Sequence, residues 1–150
     1  MKAQARQRGR SFLFRLPYGE DLLLILKQFC NENEITQGTL AVIGAVRRAT
    51  VGYYDQEARE YRSNSFDQPM EIASCIGNIS LLEGKPFVHA HIVLADKEGR
   101  PAAAGHLMEG AIIFAGEAFV QELIGKPLIR EFDEQTSLSL WPLPSKTQEA

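Results

Sequence analysis

Residues 85–107 read KPFVHAHIVLADKEGRPAAAGHL and contain every histidine of the 150-residue chain: His89, His91 and His106. Residues 87–96 are apolar, partly β-branched and free of glycine and proline, which is the pattern of a strand. Side chains alternate along a strand, so His89 and His91 share a face with Phe87 and Val93, while Val88, Ala90, Ile92 and Leu94 fill the other. Alternate positions lie about 6–7 Å apart, which lets two imidazoles converge on one ion. Glycine at position 99 accepts a positive φ, so Glu98 and Gly99 are read as the centre of a tight turn. Counting outward from that turn places His91 directly opposite His106. Pro101 is the residue that would lengthen the turn and shift this register.

Three imidazoles on one face of one hairpin suit a divalent transition metal. Zinc takes histidine nitrogen at about 2.0–2.1 Å, and three such ligands leave a fourth position open. A single histidine at a strand surface reads as an ordinary polar residue. Three on one face, with no others in the chain, read as ligands of zinc or a similar divalent ion. The next apolar segment, residues 110–123, carries one carboxylate, Glu117, among Ile113, Ala115 and Phe119. A charge on an apolar face needs a partner. It is read either as an ion pair with an arginine or, with Glu109, as a group that orients a metal-bound histidine.

Hydrophobic residues make up 45% of the chain, charged residues 23%, and the net charge is −3. Those values fit one globular domain and speak against a surface given over to nucleic acid. Cys30 and Cys75 lie in apolar stretches without metal-type spacing and read as core residues of a reducing compartment. There is no long apolar run for a signal peptide or membrane span, so the expected location is cytoplasmic, with no membrane partner. The dense basic cluster is at the start: Arg6, Arg8 and Arg10 follow Lys2. Residues 1–9 are read as a basic disordered arm, 10–140 as the folded domain and 141–150 as a tail. Arg8-Gly9-Arg10 resembles the core of an AT-hook, a minor-groove reader, although Ser11 stands where the hook has proline. The segment is read first as a solubilising basic tail, with Arg6, Arg8 and Arg10 as the DNA-contact candidates for weak and salt-sensitive binding.

Along the chain, residues 11–16 read as a strand and residues 21–33 as the one convincing helix, with Leu22, Ile25, Leu26 and Phe29 at helical spacing. Residues 39–55, interrupted by Gly44 and Gly52, read as two strands or one bent strand with a bulge. Residues 60–66, 70–80 and 128–132 complete the strands. The fold class is α+β: a bent antiparallel sheet with one main helix packed on it. Residues 110–123 are apolar on both faces, so a single helix leaves surface for another subunit.

GEDLLLIL at 19–26, GTLAVIGAV at 38–46, EIASCIGNIS at 71–80, HAHIVLAD at 89–96, GHLMEG at 105–110 and REFD at 130–133 together resemble the PPC (plants and prokaryotes conserved) family over roughly residues 9–140. The resemblance implies a bent antiparallel sheet with a helix, a homotrimer, and in some members a metal at the histidines matching His89, His91 and His106. In plants the domain follows AT-hooks; bacterial members are single domains commonly described as DNA-binding. The function so implied is a homotrimeric binding protein with a three-histidine metal site, DNA-associated or regulatory. The alternative is a metal-dependent enzyme of unknown substrate that uses the open coordination position.

Overall fold

The computed structural model describes residues 3–143. Nine strands and one helix follow in the order β1 (Gln7–Arg15), α1 (Leu22–Glu32), β2 (Gly38–Asp55), β3 (Glu60–Phe66), β4 (Met70–Leu82), β5 (Lys85–Ala95), β6 (Pro101–Leu107), β7 (Ile112–Ile124), β8 (Ile129–Asp133) and β9 (Leu138–Leu140). The fold is mostly β-sheet with one helix, and no helix among the described residues is long and apolar enough to cross a membrane.

β2 organises the sheet. Its first half lies between β4 and β7, and its second half lies between β3 and β6. Because β4 also pairs with β5, and β5 with β6, strands β2, β4, β5 and β6 close into a ring. The segment expected as two strands or one bent strand is one strand of 18 residues, with a register shift between Val42 and Gly44 on its β4 side. Nearly all pairs are antiparallel. The exception is β8, which joins β4 in parallel because the chain crosses over after β7.

α1 begins where Asp21 accepts the Leu24 amide at 3.1 Å, a side-chain N-cap. The second Asp21 oxygen accepts the Gly110 amide at 2.6 Å, which ties the helix start to the chain between β6 and β7. Leu22, Leu23, Leu26 and Cys30 form the buried stripe of the helix. It packs on the face of β5 that carries Val88, Ala90, Ile92 and Leu94, all buried. Burial pushes the Cys30 thiol up to about 11 and the Cys75 thiol up to about 12, so both stay protonated and act as small apolar residues.

With that face of β5 committed to the core, alternation turns Phe87, His89 and His91 outward. The first strand starts earlier than the sequence suggests. Gln7, Arg8, Gly9 and Arg10 belong to β1 and lie along β7, so the basic segment is strand from Gln7 onward. Met1 and Lys2, and residues 144–150 of the tail, lie outside the described residues.

Candidate metal centre

His91 faces His106 across β5 and β6, and on its other side faces Ile76 of β4. His89 faces Asn78. The register is the expected one, but the turn is not. Asp96 donates its amide to the Arg100 carbonyl at 2.9 Å, and Gly99 donates to the Asp96 carbonyl at 2.9 Å, so the loop holds three residues. Gly99 sits at φ +76°, the left-handed position that follows the first part of such a loop. A longer loop moves the pairing by one, and Ala95 indeed pairs with Pro101. An irregularity next to Leu94 restores the count, so Leu94 meets Ala103 and His91 meets His106. Asp96 rigidifies the loop: its carboxylate accepts the Glu98 and Arg100 amides at 3.0 and 2.9 Å. Those bonds hold it below the usual carboxylate range.

β6 approaches β2 closely at this point. Gly105 is at φ +155°, and a Cβ there would run into the Gly52 carbonyl. That approach carries His106 toward His89 and His91. One ligand nitrogen from each of the three rings lies within 4.8 Å of the others. His89 Nε2 and His106 Nδ1 are 3.2 Å apart. Two nitrogens each about 2.05 Å from a tetrahedral ion would sit about 3.3 Å apart. The His89–His106 pair therefore already has the separation that an ion requires, and a His91 ligand nitrogen lies within 4.8 Å of both. The residues fit the group.

Burial and the positive charge of Arg130 depress His89 to about 4, and the neighbouring His106 and His91 push in the same direction. His106 is lowered as well, by burial and then by His91. Both rings are thus held neutral at pH 7, the form that binds metal.

A cavity of about 530 Å³ opens beside His89 and His106, walled by Leu23 and Lys27 of α1, Tyr61 of β3, Phe87 of β5, and Met108 and Glu109 after β6. The Tyr61 ring stands edge-on to His106 at 5.2 Å, and burial raises its phenol above the ordinary range. Tyr61 and Arg130 are contributions to this site that the local motifs did not announce. Arg130 comes from β8, 24 residues after His106 in the sequence, and reaches the histidine face through the β4–β8 pairing.

Two carboxylates expected near the histidines are differently employed. Glu117 is exposed on β7, level with Arg15 of β1 and Ile43 of β2, and makes no hydrogen bond to any of the three histidines. The reading of a buried charge on that face is corrected: the face is open, so the carboxylate keeps its water. Glu109 does line the cavity, but it pairs with Lys27 at 3.2 Å and makes no hydrogen bond to an imidazole.

The three arginines of the DNA reading do not act as one patch. Arg10 grips Glu122 with Nε and Nη2, both at 2.8 Å, and Nη2 also donates to the Asn33 carbonyl at 2.7 Å. That pairing holds the Glu122 carboxyl below its usual range. Arg6 donates to Gln37 Oε1 at 3.3 Å and to the Lys126 carbonyl at 3.0 Å. Arg8 is exposed and makes no side-chain hydrogen bond among the described residues.

A strand-rich domain with one helix and a three-histidine hairpin defines the class of protein. The chain belongs to the Plants and Prokaryotes Conserved (PCC) domain family, whose profile matches residues 3–124. It is similar to a metal-containing protein from Archaeoglobus fulgidus, with 43% identity and a TM-score of 0.89, covering 95% of this chain and 100% of that one. A plant- and prokaryote-conserved (PPC) protein from Pyrococcus horikoshii is 37% identical with a TM-score of 0.89, covering 97% of this chain and 99% of that one. A candidate DNA-binding protein from Ralstonia eutropha JMP134 is 26% identical with a TM-score of 0.77, covering 88% and 90%. No curated protein matches the chain.

Proposed function

We propose that this chain is a metal-binding protein in which His89, His91 and His106 hold zinc or a similar divalent ion, with the open coordination position serving to bind a small molecule. The observation that carries the reading is the 3.2 Å separation of His89 Nε2 and His106 Nδ1 beside a cavity of about 530 Å³. Cavities of that size accept small organic ligands. The metal-containing relative from Archaeoglobus fulgidus, similar over its whole length, supports it. When bound, the ion supplies a Lewis acid and an exchangeable ligand position. The chain's own part is to hold the imidazoles neutral and to shape the cavity. Elemental analysis of the purified protein tests the reading: near-stoichiometric metal is expected in the wild type and loss of nearly all of it in His91→Ala. Equal metal in both would refute it.

The cavity beside His89 and His106 also supports a second reading, a metal-dependent enzyme. Among the described residues the carboxylate that lines the cavity, Glu109, is engaged by Lys27, so that reading requires this pair to open before Glu109 can act as a base.

A homotrimer belongs to the same proposal. An exposed apolar row crosses the sheet from Ile76 (63% exposed) through Ala41 and Phe119 to Leu13 (78% exposed), with Ile43 beside it. A contiguous apolar surface of this kind supports burial against another copy. Sedimentation of wild type against Leu13→Asp checks it: a trimer that the substitution weakens is expected, and a monomeric wild type contradicts it.

A further inference from the structure

The surroundings of the three histidines carry an unbalanced positive charge, and this, taken with the metal reading on which it rests, names the class of ligand. Imidazoles bind a metal as neutral groups, so a divalent ion keeps both its charges. Arg130 adds a third. It is 7% exposed, and its partners are Ser80 Oγ at 2.7 Å, the Ser139 carbonyl at 2.8 Å and Asn78 Oδ1 at 3.2 Å. None of them is a carboxylate. The rings of Phe87 and Trp141 face its guanidinium at 4.8 and 4.9 Å. Such faces favour a cation but do not neutralise it. A guanidinium has five N–H groups, so this one keeps donors to spare.

Arg130 is also adjacent to the candidate centre. Asn78, which accepts one of its bonds, faces His89 across β4 and β5, and Phe87 is two residues before His89 on the same face. Among the cavity walls the one carboxylate is Glu109, whose charge is already matched by Lys27 at 3.2 Å. A partly buried site with this much positive charge and no counter-charge of its own is costly until an anion enters. Hydroxide would fill the coordination position but not about 530 Å³ of space. Leu23, Tyr61, Phe87 and Met108 make the rest of the wall mainly apolar.

We propose that the cavity takes a small carboxylate with an apolar body: the carboxylate lies at the ion, beside the Tyr61 hydroxyl and within the field of Arg130 behind Phe87, and the apolar part lies against Leu23, Phe87 and Met108. With Lys27 matched by Glu109 and Thr50 bonded to Ser65, the mainly apolar wall suits a singly charged carboxylate better than a multiply charged, fully polar oxyanion such as phosphate.

Cobalt-loaded full-length protein, titrated with benzoate, benzyl alcohol and orthophosphate and followed through the visible cobalt bands, tests this. Benzoate is expected to bind about tenfold or more tighter than either comparison compound. Arg130→Gln should weaken benzoate by about threefold to tenfold, the scale of removing one nearby unit charge in a partly screened site, without changing the cobalt content. Arg130→Lys, which keeps the charge, should recover most of the loss. Benzoate binding unchanged in Arg130→Gln, or orthophosphate or benzyl alcohol binding as tightly as benzoate, overturns the proposal while leaving the metal site standing. A wild type that takes up no cobalt refutes the metal reading itself, and with it this one, before any anion is added. Should Arg130→Gln not fold, the Arg130 Nε–H resonance of the zinc-loaded wild type serves instead: it shifts when benzoate is added, and an unmoved resonance overturns the assignment.

Discussion

The β5–β6 hairpin and the N-terminal strand each gather one residue type, three histidines in one and three arginines in the other, and the fold treats them oppositely. The histidines converge until two ring nitrogens are 3.2 Å apart, and no carboxylate is supplied to them. The arginines diverge: Arg10 is matched by Glu122, Arg6 by Gln37 and a backbone carbonyl, and Arg8 is left in solvent. A cluster in sequence becomes a site only where the fold leaves its polar atoms aimed at one point and without partners of their own. The same contrast separates Arg10, exposed and paired, from Arg130, buried without a carboxylate.

The strongest way to break the contrast is to push β6 away from β2. Gly105→Ala places a Cβ against the Gly52 carbonyl at a φ of +155°. It should destabilise the protein by roughly 2–4 kcal/mol and lower metal affinity by displacing His106. Gly99→Ala is the control: its Cβ meets nothing within 4 Å, so the positive φ alone costs roughly 1 kcal/mol. Urea unfolding of the two variants measures the difference, and equal midpoints would show that the close approach of the strands is not what fixes His106.

A change of pH has a smaller effect on the same residues. Unfolded histidine takes up a proton near its ordinary 6.5, whereas folded His89 does so only at about 4. Between those values the unfolded chain holds more protons, so the metal-free protein loses stability as pH falls from about 7 to about 5. His106 adds in the same direction. The urea midpoint of metal-free protein should drop over that interval, and His89→Gln should flatten the drop. A midpoint that rises on acidification would contradict the burial of these rings.

The smallest expected effect lies in the other region. DNA affinity of this acidic chain is expected to be weak and to come from exposed cations. Arg8→Ala should reduce the slope of affinity against salt by about one phosphate contact. Arg10→Ala should leave the slope nearly unchanged, because Glu122 already neutralises Arg10. Equal effects from the two would mean that the Glu122 pair opens to DNA. Deleting the whole N-terminal segment is a poorer experiment, since it removes part of β1.

Much of the hairpin was legible because it obeys local rules. Alternation put His89 and His91 on one face, and the count across the turn put His91 opposite His106. That count succeeded through two departures that cancel, a three-residue loop and an irregularity beside Leu94, and neither is encoded in the spacing of histidines. Glu117 was misread for a related reason. An apolar strand signals burial of its faces, but the sequence does not say which face the chain itself covers, and β7 leaves the Glu117 face open.

What the sequence by itself determined was a helix, read over residues 21–33, the strand with His89 and His91 on one face, and the family these segments resemble, because each follows from periodicity or from motifs a few residues long. The tertiary structure alone decided that Arg130 lies buried beside His89, that Tyr61 stands against His106, and that Arg10 is spent on Glu122. Those residues lie 41, 45 and 112 positions apart: the first two pairs are brought together by the return of β8 along β4 and the closing of β2, β4, β5 and β6 into a ring, the third by the pairing of β1 with β7. Electrostatic neighbours at such separations are set by strand order, which no local pattern in the chain records.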